Sequence, residues 1–284
     1  MTGNKKITEK LVMIGMYVAA FITVAALFTV VGYVYVKGIG AISLDFLLDY
    51  PYRLEFGGIF PQIVGTIYLA AVCLLFAVPL GVASAIYLSE YAPDNMITGT
   101  VRFFVECLAG IPSIVIGLFG LIFLVHYLGL GISLLSGGLT LGFMILPWTI
   151  RASEEAIKAV PGSYREASLA LGASKWQTIR NVVLKNAYPG IISGILLGCG
   201  KAIGDTAIVL FTAGSGLEWF LPMAITDPVG SLTVYTYILA TQAHTEAGIL
   251  RAFGASLVLL TMFFMVTVTA LYLRNRYVRR MSGW

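Results

Sequence analysis

Charge is scarce in this chain: Asp, Glu, Lys and Arg make up 11% of its 284 residues, whereas hydrophobic residues make up 58%. A soluble domain of this size carries about 25% charged residues, so the composition excludes an ordinary water-soluble fold and indicates a polytopic membrane protein. The net charge of +4 then reflects how basic residues are distributed about a bilayer, and it does not point to nucleic acid.

Residues that carry chemistry are also few. The three cysteines, Cys73, Cys107 and Cys199, all fall in apolar runs, and His126 and His244 lie far apart. Neither set has the spacing of a disulfide framework or of a metal site. The sequence also contains no Walker-type phosphate loop and no Ser/His/Asp arrangement. We therefore predict no catalytic residue, no metal, no cofactor and no enzymatic activity in this chain.

Long charge-free runs predict an all-α fold with six membrane crossings, because a helix needs about 20 apolar residues to cross the hydrocarbon core. Residues 107–150 contain no Asp, Glu, Lys or Arg, and one helix of that length would be about twice as long as the core is thick. We expect this run to fold back at the Gly-rich residues 129–138. The predicted crossings are 11–36, 62–89, two within 107–150, 190–211 and 253–273.

Basic residues predict the orientation of these crossings. With the amino terminus in the cytosol, fourteen Lys and Arg fall on the cytosolic side and only Lys37, Arg53 and Arg251 on the outside. Since basic residues favour the cytosolic side, we predict a multi-pass protein of the cytoplasmic membrane with both termini in the cytosol. We expect residues 1–61 to form an anchor helix with an outer loop, and residues 62–284 to form the core.

Residues 160–185 combine high polarity with a position between two apolar runs. Ser163 and Glu166 have the spacing of a capping box, which predicts the start of a helix, and Gly172 can adopt the left-handed conformation that ends one. Apolar residues at helical spacing within 175–185 predict a second helix. A rigid helix–glycine–helix unit at a membrane surface suits a cytosolic partner. An ordinary surface loop is the alternative that helix physics leaves open.

Lys201 and Asp205 lie in the middle of the fifth predicted crossing, where an ionised side chain costs about 2.5–3.5 kcal/mol on insertion scales. Their i, i+4 spacing lets them pair on one helix face, and Thr206 adds a hydroxyl donor. One interpretation is a self-neutralised pair that fixes helix packing. The other is an anion path in which Lys201 attracts the anion while Asp205 orients the ammonium group.

Two further patterns predict how the crossings pack. Gly190, Gly194 and Gly198 form a ladder of small residues that favours close packing against another helix. The third crossing is expected to bend at Pro112, where Ser113 could face water or a substrate because the broken helix frees polar groups. A bend that serves packing alone is the alternative for this position.

The segment VPGSYREASLALGASKWQTIRNVVLK (160–185) resembles the cytosolic "EAA" loop of permease subunits in binding-protein-dependent ABC importers. The likeness rests on Glu166-Ala167-Ser168 followed after three residues by Gly172, with Ser168 where a second alanine is usual and Lys185 where a proline is usual. The resemblance implies that Glu166, Ala167, Ser168 and Gly172 couple the chain to an ATPase subunit, through a coupling loop at 160–188.

The run GKAIGDTAIVLFTAG (200–214) resembles the RAIGETA-type segment of phosphate importer permeases, with Lys201 for the arginine and Asp205 for the glutamate. Three other blocks agree with this resemblance: YLSEYAP (87–93), LAGIPSIVIGLFG (108–120) and LPWTIRASEEAIKAVP (146–161). The ending LFTAG favours the PstA-type subunit over its PstC-type partner. We expect the substrate path to include Lys201, Asp205, Thr206 and Ser113.

The resemblance implies a set of partners. They are a second permease subunit that forms a heterodimer with this chain, two cytosolic ATPase subunits, an extracytoplasmic phosphate-binding protein, membrane lipid and phosphate, with no nucleic acid. Lys lacks the bidentate fork of Arg, so another oxyanion such as molybdate, tungstate or sulfate is one alternative. A membrane scaffold or signalling subunit that uses the same loop is the other. Substitution of Lys201 by alanine distinguishes the two roles. It should remove uptake and leave assembly intact in a transporter, whereas it should mainly disturb assembly in a scaffold.

Overall fold

The computed structural model describes residues 2–52, 56–218 and 220–282, and these are mostly helical. The helices are α1 Thr2–Gly38, α2 Leu44–Leu48, α3 Phe60–Ile86, α4 Met96–Ala109, α5 Ser113–Gly120, α6 Leu134–Lys158, α7 Gly162–Ala170, α8 Lys175–Thr178, α9 Leu184–Gly204, α10 Ala207–Thr212, α11 Leu232–Gln242 and α12 Glu246–Ser282. The π-helical turns Tyr87–Tyr91, Leu121–Tyr127 and Ile179–Val183 extend α3, extend α5 and join α8 to α9. Strands β1 Pro51–Tyr52 and β2 Phe56–Gly57 pair as a small antiparallel hairpin. The predicted all-α class is confirmed.

Within the described residues, five helices are long and apolar enough to cross a membrane. They are Glu9–Ala41, Phe60–Tyr91, Leu134–Lys158, Lys175–Gly204 and Glu246–Arg279. A bent pair, Met96–Ala109 and Ser113–Tyr127, turns by 98° at the predicted break and supplies the sixth crossing when counted as one. With that count the six predicted crossings are confirmed.

The fifth crossing differs from its predicted form. The helix that begins at Lys175 runs without interruption through Ile179–Val183 into α9 and stops at Gly204, short of the predicted end at residue 211. Asp205 is extended, with φ −80° and ψ 124°, and α10 begins two residues later. The Asp205 carboxylate accepts a hydrogen bond from the Ile208 amide, a local bond of the kind that competes with helix continuation.

Helix α6 lies at the centre of the bundle, between α3 and α9. Its backbone comes close to the backbones of both helices, and glycines lie at these contacts. A methyl group on Gly138 would lie 2.4 Å from Val72 Cγ1 of α3. On the other side, a methyl group on Gly194 would lie 2.2 Å from Ala152 Cβ, and one on Gly190 would meet Ala156 in the same way. The predicted glycine ladder of α9 is therefore a packing surface, and its partner is α6.

The bundle has a basic end and an opposite end. The basic end carries loop residues 92–95 and the segment 159–174, which includes α7. The opposite end carries the β-hairpin and residues 213–231, where the Leu134 amide donates to the Asp227 carbonyl at 2.8 Å. Helix α11 packs there, with Leu232, Tyr235 and Leu239 fully buried.

Helix α1 stands at the side of the bundle. No residue in its most apolar 18-residue window is buried, and it leans on α12 through the Tyr33 and Phe253 rings, whose centroids are 5.6 Å apart. Because an apolar surface of this extent is stable against hydrocarbon and not against water, the outer face of α1 is suited to lipid.

Candidate functional site

The segment between α6 and α9 is a helix–turn–helix unit at the basic end. Helix α7 ends at Ala170, and Gly172 has φ +81°, the left-handed conformation predicted for it. The predicted capping box at Ser163 and Glu166 is wrong, since α7 begins at Gly162 behind Pro161 with no side-chain cap. Pro161 itself sets the chain direction there, and its φ is −57°.

A capping box is instead found at the second helix. The Ser174 hydroxyl accepts from the Gln177 amide at 3.3 Å, and the Gln177 side-chain oxygen accepts from the Ser174 amide at 2.8 Å. The Ser168 hydroxyl bonds the Thr178 hydroxyl at 2.9 Å and so joins α7 to α8. These bonds give the turn between the two helices a fixed shape.

One arginine of α7 ties this unit to the membrane helices. Arg165 donates from Nε and Nη2 to Glu90 Oε1 at 3.0 and 2.8 Å, and it also donates to the carbonyls of Ile157 and Val160. The Glu90 side chain is only 9% exposed. Beside it, the Lys175 ammonium lies 4.6 Å from the Tyr91 ring centroid. Helix α7 is therefore held to the ends of both α3 and α6.

The predicted coupling residues lie together on this unit but differ in environment. Glu166, Ala167 and Gly172 are exposed, whereas Ser168 is half-buried and its hydroxyl is hydrogen-bonded to Thr178. Within the described part of the chain, Glu166 has no hydrogen-bond or ion-pair partner. Four large apolar side chains are exposed around them: Tyr164, Leu169, Leu171 and Trp176. We call these four residues with Glu166 the loop surface.

The loop surface has the composition of a protein-binding site. Leu171, which is 90% exposed, comes directly before the left-handed Gly172, at the tip of the turn. Several large exposed apolar residues beside charged ones in one short segment are typical of an interaction surface. These residues lie in the polar segment 160–185, between α6 and α9.

The second candidate region lies on α9, where Lys201 points out of the folded chain. Its side chain is exposed, and its ammonium Nζ lies 4.6 Å from the centroid of the Trp148 ring on α6. The predicted ion pair between Lys201 and Asp205 is wrong, because α9 ends at Gly204 and the i, i+4 geometry is lost. Asp205 Oδ1 accepts from the Ile208 amide at 2.9 Å instead.

The two hydroxyl residues predicted for the path lie near this break. Thr206 follows Asp205 and is half-buried. Ser113 is the first residue of α5, one turn before Gly117, and a methyl group on Gly117 would lie 3.2 Å from the Ile208 Cα in α10. Among the residues the structure describes, neither hydroxyl makes a hydrogen bond. The structure thus brings α5 beside α10, and it does not join Ser113 directly to Lys201.

A cavity of about 470 Å³ lies between α4, α6 and α9 and runs from Trp148 to the basic end. Its wall is mainly apolar, with Gly194 and Leu197 from α9, and its polar side chains are Glu106, Arg151 and Glu155. The cavity volume is within the range of small-molecule sites. Trp148 lines the cavity and Lys201 stacks on its ring, so the exposed ammonium group lies next to a wall residue of this cavity.

Charged groups close the basic end of the cavity in a way that the sequence did not predict. Arg151 Nη1 contacts Glu106 of α4, and Arg151 Nε donates to Glu155 at 3.3 Å. Next to them, buried Glu154 accepts from Arg102 at 2.8 Å and pairs with Lys158 at 2.7 Å. These contacts fasten α4 to α6, so ion pairs bound the cavity at its basic end.

Comparison with known proteins supplies the family. Residues 77–282 match the family described as "Binding-protein-dependent transport system inner membrane component". The chain belongs to this family. It is therefore a multi-pass inner-membrane permease subunit of an ABC importer and not an enzyme in its own right, and membership implies an ATPase and a substrate-binding protein as partners.

Individual relatives agree with this assignment. The chain is 34% identical over 293 residues to "Probable ABC transporter permease protein YqgI" of Bacillus subtilis, with 99% of each chain covered. It is 38% identical over 224 residues to "Phosphate transport system permease protein PstA 1" of Mycobacterium tuberculosis, covering 79% of this chain and 73% of that one. The predicted resemblance to PstA-type permeases is confirmed as a similarity of sequence.

Solved structures share the fold. A bacterial alginate ABC transporter, in complex with an alginate pentasaccharide-bound periplasmic protein, contains a chain that superposes with a TM-score of 0.68 over 96% of both chains at 16% identity. At this identity the likeness concerns the arrangement of helices alone. It agrees with the helical fold of this chain.

Proposed function

We propose that this chain is the permease half of an importer that moves inorganic phosphate across the cytoplasmic membrane at the expense of ATP hydrolysed by a partner. The observation that carries the proposal is the Lys201 ammonium, which lies in the last turn of α9, exposed and stacked on Trp148 in the middle of α6, beside the cavity. A cation at this depth normally faces a protein interior or an aqueous path. The likeness to PstA-type relatives favours phosphate as the anion that uses it.

The substrate path in this proposal follows α6 and α9. Phosphate passes the α9–α10 break, where Thr206 and Ser113 have free hydroxyl groups, reaches Lys201, and leaves along the cavity toward Arg151. An ammonium group is a compact charge with three donors, which suits a tetrahedral oxyanion. Arg151 is paired with Glu106 and Glu155, so it offers the anion no unpaired positive charge, which favours release at this end of the cavity.

The same proposal assigns the loop surface to an ATPase subunit. Glu166, Ala167, Ser168 and Gly172 belong to a unit that Arg165 connects to Glu90 and to the end of α6. A rigid-body movement of a bound ATPase would therefore reach α3 and α6 through these bonds. The basic end then faces the cytosol, as the distribution of Lys and Arg favours, and both termini lie on that side.

Four partners complete the proposed transporter. A second permease subunit forms a heterodimer with this chain, two ATPase subunits bind at the basic end, and an extracytoplasmic phosphate-binding protein delivers the anion at the opposite end. ATP binding draws the ATPases together, and the loop carries that motion into the crossings. The chain itself binds no nucleotide in this scheme.

Substrate identity is tested by uptake. The chain is co-expressed with its partner subunits, the complex is reconstituted in liposomes, and radiolabelled phosphate uptake is measured with and without ATP. We expect ATP-dependent uptake that excess unlabelled phosphate suppresses and that sulfate, molybdate and tungstate leave nearly unchanged. Uptake of one of those three anions in place of phosphate would contradict the phosphate assignment and leave the importer assignment intact.

ATPase docking is tested by co-purification. Leu171→Asp places a charge at the tip of the loop surface, and we expect it to remove most of the ATPase subunits from the purified complex. Met223→Asp is the matched control, because Met223 is 99% exposed but lies at the opposite end. Normal recovery of ATPase with Leu171→Asp would show that the loop surface is not the docking site.

A further inference from the structure

Lys201 has a partner that carries no charge. Its ammonium is 4.6 Å from the Trp148 ring centroid, and within the described residues it makes no ion pair and no hydrogen bond. The carboxylate expected to pair with it, Asp205, lies past the end of α9 and is bonded to the Ile208 amide. The group that determines where this ammonium lies is therefore an indole ring.

The kind of partner matters for anion binding. A carboxylate in contact with the ammonium would cancel its charge and would compete with any anion for the same donors. An indole face attracts a cation through its quadrupole, an interaction of about 0.5–2 kcal/mol, and leaves the positive charge in place. A cation held in this way is oriented and still available to an oxyanion.

Trp148 is well placed to act as a fixed platform. Its neighbours Pro147 and Thr149 are buried, and the Thr149 hydroxyl donates to the Ile145 carbonyl at 3.0 Å. Close contact between Gly194 and Ala152 fixes α9 against this part of α6. Trp148 is 38% exposed and lines the cavity, so part of the residue faces open space.

We propose that Trp148 is a positioning residue for transport: its ring, which lines the cavity, holds the Lys201 ammonium beside it in a form that remains free to bind a tetrahedral oxyanion. This inference rests on the proposed function, because it assumes that Lys201 lines the substrate path. It adds a residue on a different helix, 53 positions away in sequence, as a determinant of the affinity for the anion.

The test compares Trp148→Leu and Trp148→Phe in the reconstituted complex, with uptake of radiolabelled phosphate measured across concentrations. Loss of the aromatic face is expected to raise KM about 2- to 30-fold, the range that a cation–π contact of 0.5–2 kcal/mol gives. The maximal rate stays close to that of the original protein. Trp148→Phe retains an aromatic face, so its KM is expected to lie between that of the original protein and that of Trp148→Leu.

Three results would overturn the inference. They are an unchanged KM in Trp148→Leu, a lower maximal rate with KM unchanged, and equal KM values for the Phe and Leu variants. Co-purification of the partner subunits checks assembly of each variant, and the smaller Trp148→Phe change keeps the test decisive if Trp148→Leu does not assemble. If Lys201→Ala took up phosphate at the rate of the original complex, the proposed path itself would be overturned, whatever the Trp148 variants do.

Discussion

The Arg165 guanidinium of α7 donates two hydrogen bonds to one carboxylate oxygen of Glu90, 75 residues earlier in the chain. Glu90 belongs to the π-helical turn that ends the second crossing, and Arg165 also binds two carbonyls at the end of α6. A single side chain thus connects α7 to two crossings. This connection ties the short exposed loop to the bundle.

Removing this connection is expected to destabilise the loop. Arg165→Ala leaves the nearly buried Glu90 carboxylate without its donor, and the free energy of unfolding should fall by about 1–3 kcal/mol. Thermal melting of the purified chain in detergent measures the effect. Arg180→Ala is the control, since Arg180 lies in the same loop but is exposed. Equal melting temperatures for the two variants would contradict a structural role for the Arg165–Glu90 pair.

The position of the capping box gives a second prediction. Ser174→Ala removes the bond to the Gln177 amide, and it should lower the free energy of unfolding by about 0.5–2 kcal/mol, as expected for loss of an N-cap. Ser163→Ala should have almost no effect, because Ser163 caps no helix. The same melting experiment compares the two variants. A larger loss with Ser163→Ala would restore the capping box that the sequence suggested and contradict the structure.

Packing of α9 on α6 gives a third prediction. A methyl group on Gly194 would lie 2.2 Å from Ala152 Cβ, so the two backbones must separate in Gly194→Ala. Overpacking of this kind costs about 1–3 kcal/mol. Gly204→Ala on the same helix is the control, because a methyl group there would have no neighbour within 4 Å. If both variants melt alike, α9 and α6 are not packed as closely as described.

Asp205 gives a fourth prediction, which separates a cap from an ion pair. Asp205→Asn keeps an acceptor for the Ile208 amide, and Asn is as good a cap as Asp. Its stability should therefore stay near that of the original chain, whereas Asp205→Ala should lose about 0.5–2 kcal/mol. If Asp205→Asn were as unstable as Asp205→Ala, charge would be the important property of this side chain, and a pair with Lys201 would have to be reconsidered.

Much of the fold could be predicted from local sequence. The six crossings, the left-handed Gly172 and the glycine ladder of α9 follow from hydropathy, backbone freedom and residue size, which act over a few positions. The break at Gly110–Pro112 was also predictable, because proline interrupts the helical hydrogen bonds. The crossings were right in number and order, although their ends differ and the fifth is broken at Asp205.

Contacts between distant residues could not be predicted in this way. The pairs Arg165–Glu90 and Lys201–Trp148 join residues on different helices, and only tertiary packing decides which side chains meet. The predicted pair of Lys201 with Asp205 assumed a continuous helix. It failed because the Asp205 carboxylate bonds the Ile208 amide and the helix ends at Gly204, a choice between two local hydrogen-bonding patterns that i, i+4 spacing does not reveal.

The central claim is that the substrate passes Lys201, and ATP-dependent phosphate uptake by the reconstituted complex with Lys201→Ala tests it most directly. Lys37→Ala, an exposed lysine at the opposite end, is the control, and co-purification of the partner subunits confirms assembly. We predict that uptake is lost in Lys201→Ala and retained in Lys37→Ala, with both complexes assembled. Uptake by Lys201→Ala at the rate of the original complex would contradict the claim and leave the lysine a packing role only.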